Sequence, residues 1–600
     1  MCGIIGYVDR SGNPAVLDVL DTGLSSLAYR GYDSAGVALA DDDLTVIKRT
    51  GEVDALTEAL ATVAPDDVSA GIGHTRWSTH GPPSDANAHP HTDCTGEVAV
   101  VHNGIIENYE TLKAELTQQG HVFESETDTE VIPHLIEEAL DRGGDRMSAF
   151  RDAIDRLTGS HAVVAAFADG HGLFATRRDS PLVVGLGDDG YYLASDVPAF
   201  VEYTDRVSYL DDGEFVRVTS DGVTVTDSEG TEIDKSVSTI DWDPEDAEKG
   251  GYEQYMLKEI TEQPRALRKC LRGRVDEEAE QVSLDLELER ESVDRIHLLA
   301  CGSSYHAALY GAQLFRARGI PAQTFLASEY GDRALAGDTP LVIGVTQSGE
   351  TADTLGALRA AQAAGAETLT ITNTVGSSAA RECDHALFVR AGPEIGVAAT
   401  KTFANQQTAL HLLALWLGGG DADPSHIAAL RAIPEQVQSI LDDDSAREVA
   451  AELVDSAAYF FIGRGPQHPI ALEGALKLKE ISYEHAEGFA AGELKHGPIA
   501  LVTTETPIIA MVTGDDERAR KTVGNVKEVQ ARGAPVVAVT DGKANVEQYA
   551  QHVLSVPETE PEIAALLANV QLQLLAYWIA RDMGRPIDKP RNLAKSVTVE

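Results

Sequence analysis

Six hundred residues set a prior of roughly four domains at about 150 residues each, and 43% hydrophobic with 24% charged residues is globular composition, which excludes a disordered chain. Acidic residues (96) outnumber basic ones (48), for a formal charge of -48, which argues against sequence-independent binding to a phosphate backbone and hence against a nucleic-acid partner. No run reaches the ~20 consecutive apolar residues of a membrane span, and the start, MCGIIGYVDR, lacks a basic region followed by a long apolar one, so a cytoplasmic protein is expected.

Residues 2–220 carry short strand-like runs, among them Ile4-Ile5, Val98-Ala99-Val100-Val101, Ala162-Val163-Val164-Ala165 and Pro181-Leu182-Val183-Val184. Helical stretches lie between them and Gly and Asp turns punctuate them, a pattern of α+β rather than strict βαβ type. The stretch 220–250 is acidic and weakly apolar and ends in Gly-Gly, the composition of a linker. From about residue 285, apolar runs of four to six residues alternate with helical stretches, which is the sequence form of a parallel sheet covered by helices.

The second half repeats itself. LVIGVTQSGETADTLGALRAAQAAGAETLTITN from Leu341 and PIIAMVTGDDERARKTVGNVKEVQARGAPVVAVTD from Pro507 share a strand, a polar turn, a helix, a glycine (Gly365, Gly533) and a second strand. Upstream, IHLLACGSS from Ile296 echoes YFFIGRGPQ from Tyr459. Two copies of one α/β domain are expected, at 285–430 and 450–590.

The charge has its own reading. Only 15 of the 48 basic residues are Lys, and runs such as Asp41-Asp42-Asp43 and Asp442-Asp443-Asp444 read as solvated. Self-repulsion at this density destabilises a compact state in dilute buffer, and molar salt, with a Debye length of about 3 Å, screens it. A salt-rich cytoplasm of the halophilic kind is expected; an acidic mesophilic enzyme is the alternative. The five cysteines (Cys2, Cys94, Cys270, Cys301, Cys383) are widely spaced with no CxxC pair, which argues against a disulfide framework or structural zinc and for a reducing compartment.

Cys2 stands one residue from the start. If Met1 is removed, the α-amino group (pKa about 7.7–8.0) sits on the same residue as the thiol (pKa near 8.5), so one residue supplies both nucleophile and base. By position alone, a buried cysteine near a chain end is an equal reading. The neighbouring motifs are Cys2-Gly3-Ile4, Tyr29-Arg30-Gly31-Tyr32-Asp33-Ser34, Gly73-His74-Thr75-Arg76-Trp77-Ser78-Thr79-His80-Gly81, Val101-His102-Asn103-Gly104 and Ser125-Glu126-Thr127-Asp128-Thr129-Glu130. Together they resemble the class II glutamine amidotransferases. That resemblance implies a four-layer αββα N-terminal-nucleophile domain acting on L-glutamine. It implies an oxyanion hole from Asn103 and Gly104, a carboxylate clamp from Arg76, an ammonium acceptor in Asp128, and Trp77, Thr79 and His80 lining the pocket. An amide NH₂ and a backbone N–H are suitable oxyanion donors, and a guanidinium fork suits a carboxylate.

His74, His80, His89, His91 and Cys94 crowd into 21 residues and include zinc-ligand types. No pair has CxxC or HExxH form, and the amidotransferase motif accounts for the first two histidines, so no metal is expected.

In the second half, the strand Leu341–Val345 runs into Thr346-Gln347-Ser348-Gly349-Glu350-Thr351 and a helix from about Ala352, and Cys301-Gly302-Ser303-Ser304 ends another strand likewise. Free N–H groups and hydroxyls at strand-to-helix exits suit a phosphate; ordinary helix capping is the simpler reading. With Glu394-Ile395-Gly396-Val397-Ala398, these segments resemble the sugar isomerase (SIS) domain. In the second copy, Asp515 and Asp516 stand where the first has hydroxyls, so only the first is expected to bind phosphate.

Three further segments carry the resemblance to the last residue: Ala471 to Glu480, Gly492-Glu493-Leu494-Lys495-His496-Gly497-Pro498, and Pro590 to Glu600. From Cys2 to Glu600 the chain is similar to the amidotransferase family that joins this glutaminase to two SIS domains and aminates fructose 6-phosphate. The resemblance implies a domain plan of 2–220 glutaminase, 221–284 connector, 285–430 and 450–590 SIS domains, and 591–600 active-site tail. It implies sugar-phosphate contacts from Cys301, Gly302, Ser303, Thr346, Gln347, Ser348, Thr351, Val397, Glu473 and Lys477. It also implies proton transfer by Glu480, ring opening by His496 supplied from a neighbouring subunit (hence a homodimer), a Schiff base on Lys595, ammonia passed between the sites with Trp77 as gate, and no cofactor. Glu473, Lys477 and Glu480 fall at helical spacing and can share one face; a surface ion-pair ladder is the plainer reading, as a solvated tail is for Lys595. Thr346 and Ala399 depart from the family's usual Ser; the first keeps a hydroxyl and the second loses one. Rival readings are another class II amidotransferase, acting on a phosphoribosyl substrate, and a sugar-phosphate sensor without catalysis.

Overall fold

A computed structural model describes residues 2–598 except 13–15, 63–67, 169, 171, 241–245, 247, 277, 279, 332–339 and 421–422. The chain forms two compact units, residues 1–247 with 594–600, and residues 248–593.

In the first unit the strands are β1 Gly3–Asp9, β2 Ser34–Ala40, β3 Leu44–Thr50, β4 Ala70–Arg76, β5 His91–Thr92, β6 Val98–Gly104, β7 His161–Phe167, β8 Leu173–Arg178, β9 Val183–Leu186, β10 Gly190–Ala194, β11 Arg206–Tyr209, β12 Phe215–Thr219, β13 Gly222–Thr226, β14 Glu232–Ile233 and β15 Ser238–Thr239. They build two antiparallel sheets, ordered β15-β11-β9-β10-β1-β4-β2-β3 and β14-β13-β12-β8-β7-β6-β5. Alternation along the strands makes the layers. Ala99 and Val101 of β6 and Ala162 and Val164 of β7 meet Ile4, Val8, Ala38 and Ile72 of the other sheet. Val98, Val100, Val163 and Ala165 face the opposite way, onto Leu112 and Leu116 of α3 (Tyr109–Gln119), Ile132 and Ile136 of α4 (Val131–Asp141) and Phe150 of α5 (Arg146–Ile154). A helix at Val16–Ser26 packs on β1 and β4, and one at Val53–Leu60 on β3. The four-layer αββα architecture is therefore present.

The first-unit boundary differs from the expected 2–220. Strands β13 to β15 come from the acidic stretch read as linker, because Val223 and Val225 pack on the sandwich core while polar neighbours face out. The tail also differs: residues 594–600 group with this first unit.

The second unit holds two parallel five-stranded sheets. The first has strands Ile296–Ala300, Ala322–Leu326, Leu341–Val345, Thr368–Thr372 and His385–Phe388; the second has Tyr459–Gly463, Ala486–Ala490, Ile508–Val512, Val536–Thr540 and His552–Ser555. Both have spatial order 2-1-3-4-5, so the repeat seen in sequence is a repeat of topology. One helix among the described residues, Pro561–Asp582, is long and apolar enough to cross a membrane despite Asn569, Gln571 and Gln573, and 94% of its apolar window is buried inside the protein. Two of its amides donate there, Gln571 to the Ser555 carbonyl at 2.8 Å and Gln573 to that of Thr400 at 3.2 Å, while the Asn569 side chain is buried with no hydrogen-bond partner among the described residues.

Candidate active sites

Cys2 opens β1 beside the ends of β4 and β6. Cys2, Arg30, Trp77, Thr79, Asn103, Gly104, Pro181 and Thr598 line one pocket. The Trp77 N–H donates to the Cys2 Sγ at 3.3 Å, and the Trp77 carbonyl lies 3.6 Å from the same sulfur. Asn103 Nδ2 donates to the Cys2 carbonyl at 2.8 Å. The other face of that amide is fixed by chemistry. His74 Nε2 lies 3.1 Å from the His102 carbonyl and 3.1 Å from Asn103 Oδ1. A carbonyl only accepts, so Nε2 carries the proton and Asn103 must present oxygen to His74 and its NH₂ to Cys2. Burial pushes the His74 pKa down to about 3, so the ring is neutral. Gly104 sits at φ +133°, and a Cβ there would lie 2.0 Å from the Ser160 carbonyl oxygen, so only glycine fits and its amide stays at the pocket wall.

Arg76 Nη2 donates to the carbonyls of His80 and Gly81, the latter at 3.1 Å. Its Nη1 is buried with no hydrogen-bond partner among the described residues. Burial lowers the Arg76 pKa, with Cys2, Asp33 and Asp128 opposing. Asp128 accepts from the Ile106 N–H at 2.8 Å, and its other oxygen lies 3.9 Å from His80 Nδ1. The sequence reading missed Arg30 and Asp196, an ion pair at 2.6 Å with Tyr29 O–H donating to the same oxygen at 2.6 Å; the YRGYDS motif held the signal. The rings of His74, His89 and His91 pack in series. His74 stacks on His89 (4.1 Å), His89 meets His91 edge-on, and His91 Nε2 lies 3.0 Å from Thr127 Oγ1. Burial holds His89 and His91 far below the usual pKa.

In the second unit, Ser303 and His306 of the helix Gly302–Ala317 meet Glu473, Lys477 and Glu480 of the helix Gln467–Ser482. Ser303 Oγ donates to Glu473 at 2.8 Å, and Lys477 Nζ donates to Ser303 Oγ at 3.0 Å. Lys477 Nζ is 3.4 Å from Glu473 and 2.6 Å from Glu480. Lys477 (1% exposed) and Glu473 (0%) are buried, so the trio is not a surface ladder. Burial works against both charges. The two carboxylates outweigh it and raise the Lys477 pKa; Lys477, His306 and Ser303 outweigh it and lower that of Glu473. His306, 2.8 Å from Glu473, was missed; its only signal was its place in the Cys301–Ser304 motif region.

The exit of Leu341–Val345 is a turn closed by hydroxyls. Thr346 Oγ1 accepts from the Gly349 N–H at 3.2 Å and lies 2.9 Å from Thr351 Oγ1, while Ser348 Oγ accepts from Glu350 N–H at 3.1 Å. The Gln347 carbonyl accepts from Asn373 N–H at 3.1 Å. Gly349 has φ +70°, and a Cβ would lie 2.0 Å from Ser377 Oγ, a buried hydroxyl without a hydrogen-bond partner among the described residues. Thr351 immediately precedes the helix Ala352–Ala363 and Cys301, whose thiol pKa burial raises, precedes Gly302–Ala317, neither side chain making a capping hydrogen bond among the described residues. The Val397 N–H donates to the Asp588 carbonyl at 3.1 Å. In the second copy, Asp516 caps its own helix, accepting from Ala519 N–H at 2.9 Å, so a carboxylate holds the equivalent helix start. His496 ends the 3₁₀ turn Glu493–His496 and is exposed; Ala399 is half-buried against the core; Lys595 is half-buried in the tail.

A SIS domain model matches residues 291–416 and 452–581, and a glutamine amidotransferase domain model matches 74–202. The glutamine–fructose-6-phosphate aminotransferase (isomerizing) of Halobacterium salinarum is 50% identical, and that of Thermus thermophilus 47%, each over 100% of both chains. Among solved structures, the C-terminal domain of glucosamine-fructose-6-phosphate aminotransferase from Francisella tularensis matches with TM-score 0.53 and 36% identity, covering 57% of this chain and 100% of that one. With both domain types in place and relatives of this kind matching it from end to end, the chain belongs to the glutamine–fructose-6-phosphate aminotransferase (isomerizing) family.

Proposed function

We infer that the enzyme transfers the amide nitrogen of glutamine to fructose 6-phosphate and isomerises the product to glucosamine 6-phosphate, releasing glutamate. The observation that carries this reading is a free thiol at residue 2 sharing a pocket with Asn103 and Gly104, in a chain matched end to end by relatives of that name.

Once Met1 is removed, the Cys2 amine takes the thiol proton and Sγ attacks the glutamine amide carbon. The second N–H of Asn103 Nδ2 and the Gly104 N–H hold the oxyanion. Ammonia leaves, and water hydrolyses the glutamyl thioester. The buried Arg76 Nη1, without a hydrogen-bond partner among the described residues, supports a role for Arg76 as the α-carboxylate clamp, with Asp128 receiving the ammonium. The Thr346–Thr351 turn takes the phosphate, His496 opens the ring, Lys595 condenses with the C2 carbonyl with loss of water, and ammonia then displaces the Lys595 amine to leave the C2 imine. Glu480 then moves a proton from C1 to C2. Its carboxylate pairs with Lys477 Nζ at 2.6 Å. Lys595 forms the Schiff base with the C2 carbonyl, a role resting on the family motif, as does a homodimer in which His496 serves the neighbouring site. A cytoplasmic setting accords with the free cysteines.

The test is Cys2→Ala, assayed for amino-sugar synthesis and for interconversion of fructose 6-phosphate and glucose 6-phosphate. Glutamine-dependent synthesis is expected to vanish while isomerisation persists. Equal loss of both would overturn the two-site reading, as would full activity in protein whose intact mass retains Met1.

A further inference from the structure

Four side chains distant in sequence converge on the helix-covered side of the second sheet of the first unit. Cys94 follows β5, His121 follows the Gly120 cap of α3, and His134 and Glu137 stand three residues apart on α4. One ligand atom from each lies within 4.8 Å of the others. Cys94 Sγ is 3.6 Å from the Nδ1 of His121 and 3.6 Å from that of His134. Glu137 Oε2 is 3.0 Å from His121 Nδ1 and 3.3 Å from His134 Nδ1. A tetrahedral zinc ion, with Zn–S of about 2.3 Å and Zn–N or Zn–O of about 2.0–2.1 Å, holds sulfur and nitrogen about 3.6 Å apart and nitrogen and oxygen about 3.3 Å apart. The observed spacings fit that figure.

His121 sits between two carboxylates, its Nδ1 3.0 Å from Glu137 Oε2 and its Nε2 3.1 Å from Glu138 Oε1. Two Nδ1 atoms and the Cys94 N–H (3.1 Å) all converge on one carboxylate oxygen. The Glu138 contact is the outer carboxylate that commonly orients a metal-bound imidazole. The site is held in place, with the His134 side chain 1% exposed and its ring edge-on to Phe123 at 4.6 Å.

We propose that Cys94, His121, His134 and Glu137 form a structural zinc site that staples the β5 loop, the end of α3 and the start of α4. Four protein ligands leave no open position, which marks a structural rather than a catalytic site. On binding, Cys94 releases its thiol proton to solvent and coordinates as thiolate, with no change of oxidation state. One turn before His134, Glu130 accepts the N–H groups of Glu124 and Ser125, so the staple anchors the segment that carries Asp128. The sequence hid this because its ligands follow no short motif: they come from three separate segments, and only His134 and Glu137 share one.

The test uses the full-length enzyme in the Cys2→Ala background, which removes the thiol of the glutaminase pocket. Purified protein dialysed against zinc and then buffer is expected to hold about one zinc per chain by plasma emission spectrometry. Cobalt added to the metal-free chain is expected to give a thiolate-to-cobalt charge-transfer band with the intense visible bands of a tetrahedral ion. Cys94→Ser should remove that band. Glu137→Gln should weaken zinc retention at least tenfold. Zinc content below about 0.1 per chain, or cobalt bound without a thiolate band (loose association with the acidic surface), would overturn the site.

Discussion

Lys477 Nζ lies 2.6 Å from a carboxylate oxygen of Glu480, one turn further along the same helix. The ammonium is shared with the wholly buried Glu473 at 3.4 Å. Removing it as Lys477→Met leaves Glu473 to His306 and Ser303 among the described residues and takes the ammonium away from Glu480. Stranding one partner of a buried pair costs about 3–5 kcal/mol. The expected outcome is a lower unfolding temperature for the second unit in calorimetry and loss of isomerisation, with glutaminase activity retained. An unchanged isomerase rate would show that Glu480 does not depend on the pair.

His74 decides which way the Asn103 amide faces, through its Nε2–H to Oδ1 at 3.1 Å. His74→Leu removes that donor and frees the amide to turn. A lost oxyanion donor costs about 10²–10³ in rate, so partial misorientation is expected to lower glutaminase kcat by at least about tenfold with KM for glutamine nearly unchanged. A general loss of structure would instead move both constants and the isomerase activity. Steady-state kinetics of glutamate release, with melting temperature as control, distinguishes the two.

Much of this was legible in sequence, for physical reasons that differ by feature. Parallel strands such as Leu341–Val345 announce themselves because burial on both faces demands unbroken apolar runs. The strand-to-helix turn at 346–351 was readable because its hydroxyls and Gly349 are local in sequence. The β13–β15 strands were not, since short strands at the sheet margins with one wet face look like linker. His306 and Ser377 were invisible for another reason: their partners, Glu473 and the space beside Gly349, are far away or have no chemical signature in one dimension. The same long range hid the meeting of Cys94 with His121 and His134.

The amidotransferase unit is expected to be acid-labile. Burial pushes His74 and His161 down to about 3, whereas an unfolded histidine titrates near 6.5. Below that pH the unfolded chain takes up protons that the fold refuses. Stability is therefore full above about pH 6.5 and is lost as pH falls toward 3, with each residue contributing up to about 1.4 kcal/mol per pH unit. Melting temperature measured from about pH 7.5 to about 4.5 should fall, and His161→Gln should flatten the slope by up to one proton. A level profile across this range would contradict buried neutral histidines.

Salt should act in the opposite sense. A formal charge of -48 is distributed over exposed runs, and Asp42, Asp43, Asp442, Asp443 and Asp444 are all exposed. Several lysines are already committed to acids, as Lys521 is to Glu517 and Lys543 to Glu558, both at 2.7 Å, so they leave most of the excess uncompensated. At 0.1 M salt the Debye length of about 10 Å lets neighbouring carboxylates repel; near 1 M it shrinks to about 3 Å. Raising KCl from 0.1 M to 2 M is expected to lift the melting temperature by about 10 °C or more. Potassium chloride, unlike sulfate, adds little surface exclusion, so the rise reports screening. Replacing the aspartates at 42, 43 and 442–444 with asparagine should raise the low-salt melting temperature and shrink the salt response. If neutralising them leaves both unchanged, repulsion among these runs is not what salt relieves.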